Sequence, residues 1–134
     1  MEDDSELDYI RTFLGYIHTT ATVKHISEVR STNKISDTAK MLVYPPEITG
    51  ITDFYTEKTF KVKIVESSEA NLMSAINDIV IGCWKLRTRQ AITSYTRPAS
   101  FIWCELFSSN QAFEDSQNKK WFQDITLKTR FTTS

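Results

Sequence analysis

The stretch Ser67–Arg87, SSEANLMSAINDIVIGCWKLR, decides how the rest of the chain is read. Leu72, Ile76, Ile79, Cys83 and Leu86 recur at helical spacing and form one apolar stripe, flanked by Met73, Val80 and Trp84. Ser74, Asn77, Asp78 and Lys85 take the far side. Ser67 or Ser68 is placed to cap the N-terminus, while Lys85, Arg87 and Arg89 sit where cations favour the negative end of the helix dipole. Gly82 lies inside the pattern, at a cost of about 1 kcal/mol against alanine. A helix with one apolar side needs a surface to cover, and strand patterns before and after it supply one.

Beyond the helix, Phe101–Phe107 is apolar on both faces apart from Glu105, which predicts a strand that is central or lies in an interface. Trp121–Phe131 alternates: Trp121, Ile125, Leu127 and Phe131 point one way, and Asp124, Thr126, Lys128 and Arg130 the other. Between them Ser108–Lys120 is polar and reads as a long mobile or contact loop. Before the helix, Thr59–Glu66 is a strand with Phe60, Val62 and Ile64 on one face and Lys61 and Lys63 on the other. Met41–Tyr44 is a short strand stopped by Pro45-Pro46, since proline donates nothing to a ladder. Glu47–Asp53, containing Gly50, reads as a loop, Asn33–Thr38 as a turn, and Thr22–Arg30 as a poorly alternating strand. At the start, Leu7, Ile10, Phe13, Leu14 and Ile17 mark a helix opposite Asp8, Thr12 and Gly15. Ser5 with Asp8, or Asp4 alone, is the expected cap. The predicted order is α-β-β-β-α-β-β. It describes one α+β domain over residues 1–134, with two helices packed on one face of a mainly antiparallel sheet.

A chain of 134 residues buries about two thirds of the surface its unfolded form exposes, so it needs neither disulfide nor metal to hold together. The longest apolar runs, Ile79–Ile81 and Phe101–Cys104, are far too short to span a bilayer, and the acidic start Met1-Glu2-Asp3-Asp4 is unlike a secretory leader. A cytoplasmic, membrane-free protein is expected. Cys83 and Cys104 sit in apolar stretches and read as small core side chains. The net charge of −1 drives no general attraction to nucleic acid. The charge is uneven, however. Glu2, Asp3, Asp4, Glu6 and Asp8 crowd the start, whereas Ile79–Cys104 holds no acid and carries Lys85, Arg87, Arg89 and Arg97.

Much chemistry is excluded by what the sequence lacks. Its three glycines, Gly15, Gly50 and Gly82, are far apart, and a phosphate-cradling loop or dinucleotide fingerprint needs them clustered. His18 and His25 lack the i, i+4 spacing that puts two ligands on one helical face, so no cofactor or metal is expected. Neither cysteine has a local setting that would lower its pKa. Glu105, between Trp103 and Phe107 on one strand face, would act as an acid or base if buried, but pairing with a cation or exposure is the plainer reading. Trp84, Lys85, Arg87, Arg89, Tyr95 and Arg97 interleave bases and rings as nucleic-acid surfaces do, and equally as a helix end followed by a solvated loop does.

In its order of elements, from Leu7 to Phe131, the chain resembles the tail-terminator or tail-completion proteins of tailed viruses and related contractile particles. The resemblance implies a small α+β subunit that is not an enzyme, uses no cofactor and assembles into a ring, cytoplasmic until it joins a virion. Its partners would be further copies of itself or other structural proteins. The acidic start and the basic Ile79–Cys104 segment would then meet head to tail, with Arg87, Arg89, Arg97, Trp103 and Glu105 as the expected contact residues. Two other readings stand beside it. One is a small enzyme or ligand-binding domain with an aromatic pocket around Glu105. The other is a nucleic-acid accessory domain using Arg87, Arg89 and Arg97.

Overall fold

The computed structural model describes residues 2–18, 23–25, 41–92, 95–117 and 119–132. The helix that the Ser67–Arg87 pattern predicts runs Glu69–Arg87 (α2). Ser68 is its N-cap: the extended backbone at φ −147° aims the side chain so that Oγ accepts the Asn71 N–H at 3.1 Å. At the other end the Gln90 N–H bonds the Lys85 carbonyl at 2.8 Å and the Arg89 N–H the Leu86 carbonyl at 3.3 Å. This is a Schellman closure, with Arg89 at φ 59° in the left-handed position usually given to glycine. Leu72, Ala75, Ile79, Gly82, Cys83 and Leu86 are buried.

The leading helix, Glu2–Ile17 (α1), buries Ile10, Phe13 and Leu14 completely. It already runs from Glu2, so the expected cap positions Asp4 and Ser5 lie within the helix and not ahead of it. Gly82 marks where the two helices meet. A Cβ there would stand 2.5 Å from Ile17 Cγ2, so the glycine allows α1 to approach α2, a packing reason for a residue that intrinsic propensity disfavours.

The strands are Val23–His25 (β1), Met41–Val43 (β2), Glu47–Ile51 (β3), Tyr55–Glu66 (β4), Phe101–Ser109 (β5), Phe113–Asp115 (β6) and Lys120–Thr132 (β7). Among the described residues they form one seven-stranded sheet in the order β1-β2-β4-β7-β5, with β3 also on β4 and β6 also on β7. Of the described strand pairs β1–β2 is parallel and the rest are antiparallel. The α+β architecture is thus the predicted one, with two short strands added. The Asn33–Thr38 turn and residues 22 and 26–30 of the first predicted strand lie outside the described residues.

Two added strands correct the expected loops. Glu47–Ile51 is a strand. Pro45-Pro46 interrupts the edge of β4 after the Tyr44 N–H bonds the Lys61 carbonyl at 2.9 Å, and pairing resumes at Glu47 opposite Thr59 with an irregularity between Ile48 and Gly50. In the polar Ser108–Lys120 segment, β5 extends to Ser109 and β6 pairs with the start of β7. Of the two expectations for β5, a central place or an interface, the first is corrected: among the described residues β5 is an edge strand. Its register with β7 breaks between Phe101 and Trp103 and again between Leu106 and Ser108. Such bulges shift the alternation, so Phe101 and Cys104 are buried while Phe107 is exposed, and the run looks apolar on both faces.

One face of the sheet lies under the helices. Met41, Val43, Phe60, Val62, Ile64, Phe101, Cys104, Ile125, Leu127 and Phe131 form a single core with the inner residues of α1 and α2. Phe101 stacks on Phe131 at 5.2 Å between ring centres and meets Phe13 edge-on at 5.6 Å. Each such ring pair adds about 0.5–1.5 kcal/mol beyond burial. No helix among the described residues is long and apolar enough to cross a membrane.

Candidate functional site

Three regions of the surface carry unusual chemistry. The first is the face of the sheet turned away from the helices, open except where Leu42 and Val65 are buried beside Tyr44 and Phe122. Here β4 and β7 run side by side over their full length, and the register places Glu57 opposite Arg130, Lys63 opposite Asp124, and Glu105 opposite Lys128. Glu57 accepts from Arg130 Nε at 3.2 Å and lies 3.8 Å from Lys128 Nζ. The Arg130 guanidinium is 4.7 Å from the Tyr55 ring centre and 4.5 Å from that of Trp103, and Lys128 Nζ is 4.3 Å from Phe107. Lys63 bridges Asp124 at 3.5 Å and lies 5.8 Å from the Phe122 ring, which stacks on Phe113. A groove of about 380 Å³ crosses this face, lined by Tyr44, Lys61, Ser108, Asn110, Asp124 and Thr126 among others. Exposed pairs of these kinds are each worth about 0–1 kcal/mol. The groove brings neither histidine nor cysteine to Asp124, which Lys63 already holds.

The second region is the β3–β4 hairpin. Thr52 Oγ1 accepts from the Phe54 and Tyr55 N–H groups at 3.1 and 3.0 Å, and the Thr52 N–H bonds the Tyr55 carbonyl at 2.8 Å. This side-chain turn fixes a tip that presents apolar residues to solvent: Ile48 is 57%, Ile51 69% and Phe54 81% exposed. Glu47 and Asp53 are exposed beside them.

The third region is the outer side of α2, where Met73 is 66%, Val80 44%, Ile81 42% and Trp84 47% exposed, with Tyr16 of α1 at 41%. Lys85, Arg87 and Arg89 follow at its C-terminal end. The hairpin and this helix side lie toward opposite edges of the sheet. β3 is on the outer edge of β4, whereas α2 packs chiefly against β5 at the far edge.

The residues expected to make contacts are dispersed. Trp103 and half-exposed Glu105 belong to the open face. Arg87 reaches the same strand: its Nη1 donates to the Cys104 carbonyl at 2.9 Å and its guanidinium lies 6.0 Å from Trp103. Arg89 and Arg97 line a separate hollow of about 270 Å³ with Leu86, Ile92 and Tyr95. The Tyr95 hydroxyl is buried and has no hydrogen-bond partner among the described residues, and burial, with the Cys104 thiol adding to it against Arg97, pushes its pKa up to about 12. The three arginines therefore form no continuous strip. Of the acids near the chain's start, Glu6 is ion-paired with Lys58 of β4 and Asp8 with Arg11.

Sequence reasoning placed Glu57 near a strand without its partner Arg130, and it missed Tyr55 and the hairpin tip. It also missed buried His18, whose Nδ1 is 2.7 Å from Asp78 of α2 and whose Nε2 is 3.7 Å from Glu66 of β4. These partners are 60 and 48 positions away, and no local pattern announces them. Compared with known proteins, the chain matches no family and no curated relative by sequence.

Proposed function

We propose that this chain is a non-enzymatic assembly protein that contacts further copies of itself, with a ring component of the tail-terminator kind as the sharpest form of the reading. One observation carries it: two apolar patches stand exposed toward opposite edges of the same subunit, the hairpin tip at Ile48, Ile51 and Phe54 and the α2 side at Met73, Val80, Ile81 and Trp84. Such patches mark interaction surfaces. Their surroundings are complementary, with Glu47 and Asp53 at the hairpin and Lys85, Arg87 and Arg89 at the end of α2. A contact between two different patches is heterologous, and repeated copies then close into a ring or extend as a filament. The apolar residues would supply the affinity and the charges the register. The meeting of opposite charges expected from the sequence is kept, but the acidic partner moves from the chain's start to the hairpin.

Complementation tests this directly. Ile51→Ser with Phe54→Ser removes the hairpin patch, and Met73→Ser with Trp84→Ser removes the helix patch. By light scattering, the wild type should exceed monomer mass at high concentration and each variant should be monomeric, with unfolding midpoints near wild type. Mixed together, the two variants retain one intact pair of surfaces and should form a heterodimer and nothing larger. A wild type that stays monomeric, or variants that fail to complement, would overturn the reading. Salt-sensitive nucleic-acid binding by a monomer would favour the accessory-domain alternative.

A further inference from the structure

Cys83 of α2 and Cys104 of β5 face each other inside the core. Their sulfurs are 3.4 Å apart, the residues are 1% and 0% exposed, and both are free thiols. At this separation the two atoms touch and nothing fits between them. A disulfide would draw them to about 2.05 Å, an approach of roughly 1.4 Å.

The surroundings allow that approach. Among the described residues β5 is an edge strand, and its register irregularities fall on both sides of Cys104, between Phe101 and Trp103 and between Leu106 and Ser108. A segment bracketed by two bulges on a free edge can shift without dragging the sheet. Arg87, one helical turn after Cys83, donates to the Cys104 carbonyl at 2.9 Å and so holds helix and strand in the register that keeps the sulfurs opposed.

We propose that Cys83 and Cys104 form a redox modification site, in which an oxidant of the peroxide class converts the pair into an intrachain disulfide stapling α2 to β5. The thiolate of one cysteine attacks a peroxide oxygen, the O–O bond breaks, and a sulfenic acid forms as hydroxide leaves. The second thiol displaces the sulfenic hydroxyl as water and the S–S bond closes. The two thiols give up two protons and two electrons, and hydrogen peroxide becomes two waters. A dithiol reductant reverses the change. Burial, with the adjacent Cys83 thiol adding to it and Arg87 opposing, holds the Cys104 thiol well above its usual range. The closed core therefore reacts slowly, and the site responds to sustained oxidant through opening of the β5 edge.

The full chain is exposed to hydrogen peroxide, denatured, alkylated and mapped by peptide mass. The expected product has lost two hydrogens, has no alkylatable thiol and yields a linked Cys83–Cys104 peptide. Because the link closes a loop between residues 21 apart, the unfolding equilibrium constant should fall on the order of a hundredfold and return with dithiothreitol. Cys83→Ala under the same exposure should carry sulfinic or sulfonic acid at Cys104. Should that variant not fold, the wild-type peptide map decides alone. Two alkylatable thiols in exposed wild type, over-oxidation of one cysteine, or a link between chains would overturn the proposal.

Discussion

Along the inner side of α2, Leu72, Ala75, Ile79, Cys83 and Leu86 are buried against the sheet, while on its outer side Met73, Val80, Ile81 and Trp84 stand exposed. The residue types are nearly the same. What separates them is what lies opposite: four strands and α1 on one side, solvent on the other. The inner set is explained by the folding of this chain, since each fully buried large aliphatic contributes about 1.5–3 kcal/mol. The outer set contributes little of that kind, and its presence points to a surface covered by something else. Substitutions on the two sides should therefore diverge, with stability lost on the inner side and association on the outer.

The largest expected effect is at Ile79, fully buried in the middle of the inner stripe. Ile79→Asp places a carboxylate without a partner in the apolar core and should cost several kcal/mol, a large part of the roughly 5–15 kcal/mol that holds a typical domain. Asn77→Asp, on the exposed side, should change stability by less than about 0.5 kcal/mol. Chemical denaturation of both variants checks the pair. Comparable losses would mean that the two sides of α2 are not distinct.

A smaller effect is expected where the inner side meets α1. Gly82→Ala gains about 1 kcal/mol of helix propensity but sets a methyl 2.5 Å from Ile17 Cγ2, and overpacking of this kind costs about 1–3 kcal/mol. A net loss of about 1 kcal/mol should appear in the single variant. In an Ile17→Ala background the same change should cost less, because of the three close side-chain atoms only the Ile17 Cβ, 2.9 Å away, remains. A double-mutant cycle reads that coupling, and additive effects would show that α1 does not press on Gly82.

These residues also show what could be read from sequence. The inner stripe of α2 and the alternation of β7 are local and periodic, so Ile79, Ile125, Leu127 and Phe131 were legible as core. Glu47–Ile51 was not, because a proline pair precedes it and a bulge at Ile48/Gly50 breaks its alternation. The edge position of β5 was hidden because its two bulges imitate the apolar run of a central strand. In the candidate site, Trp103, Glu105 and Arg87 were named from composition along the chain. Their company was not, since Glu57 and Arg130 are 73 residues apart and meet only through the β4–β7 register. Gly82 looked like a flaw in a helix until α1 was beside it.

The smallest expected effect, at the end of α2, separates the two sides most finely. Arg89 closes the helix at φ 59°, a conformation that costs a residue with a Cβ about 1 kcal/mol and costs glycine almost nothing. Arg89→Gly removes that strain, although glycine also loses more freedom on folding, so the net gain should be about 0.5 kcal/mol. Over a chain of this size that raises the unfolding midpoint by about 1–2 °C. Strain of this kind persists where a side chain serves another end, and Arg89 is one of the cations that follow one another at the end of α2. Arg89→Gly should therefore stabilise the subunit while weakening its self-association modestly, by the few tenths of a kcal/mol that an exposed charge supplies. Arg89→Asn tolerates the same backbone without the charge and should behave alike in association, with a smaller gain in stability. Thermal unfolding and concentration-dependent scattering of the two variants give both quantities. Stability that rises with association unchanged would leave Arg89 outside the contact and confine the outer surface to Met73, Val80, Ile81 and Trp84.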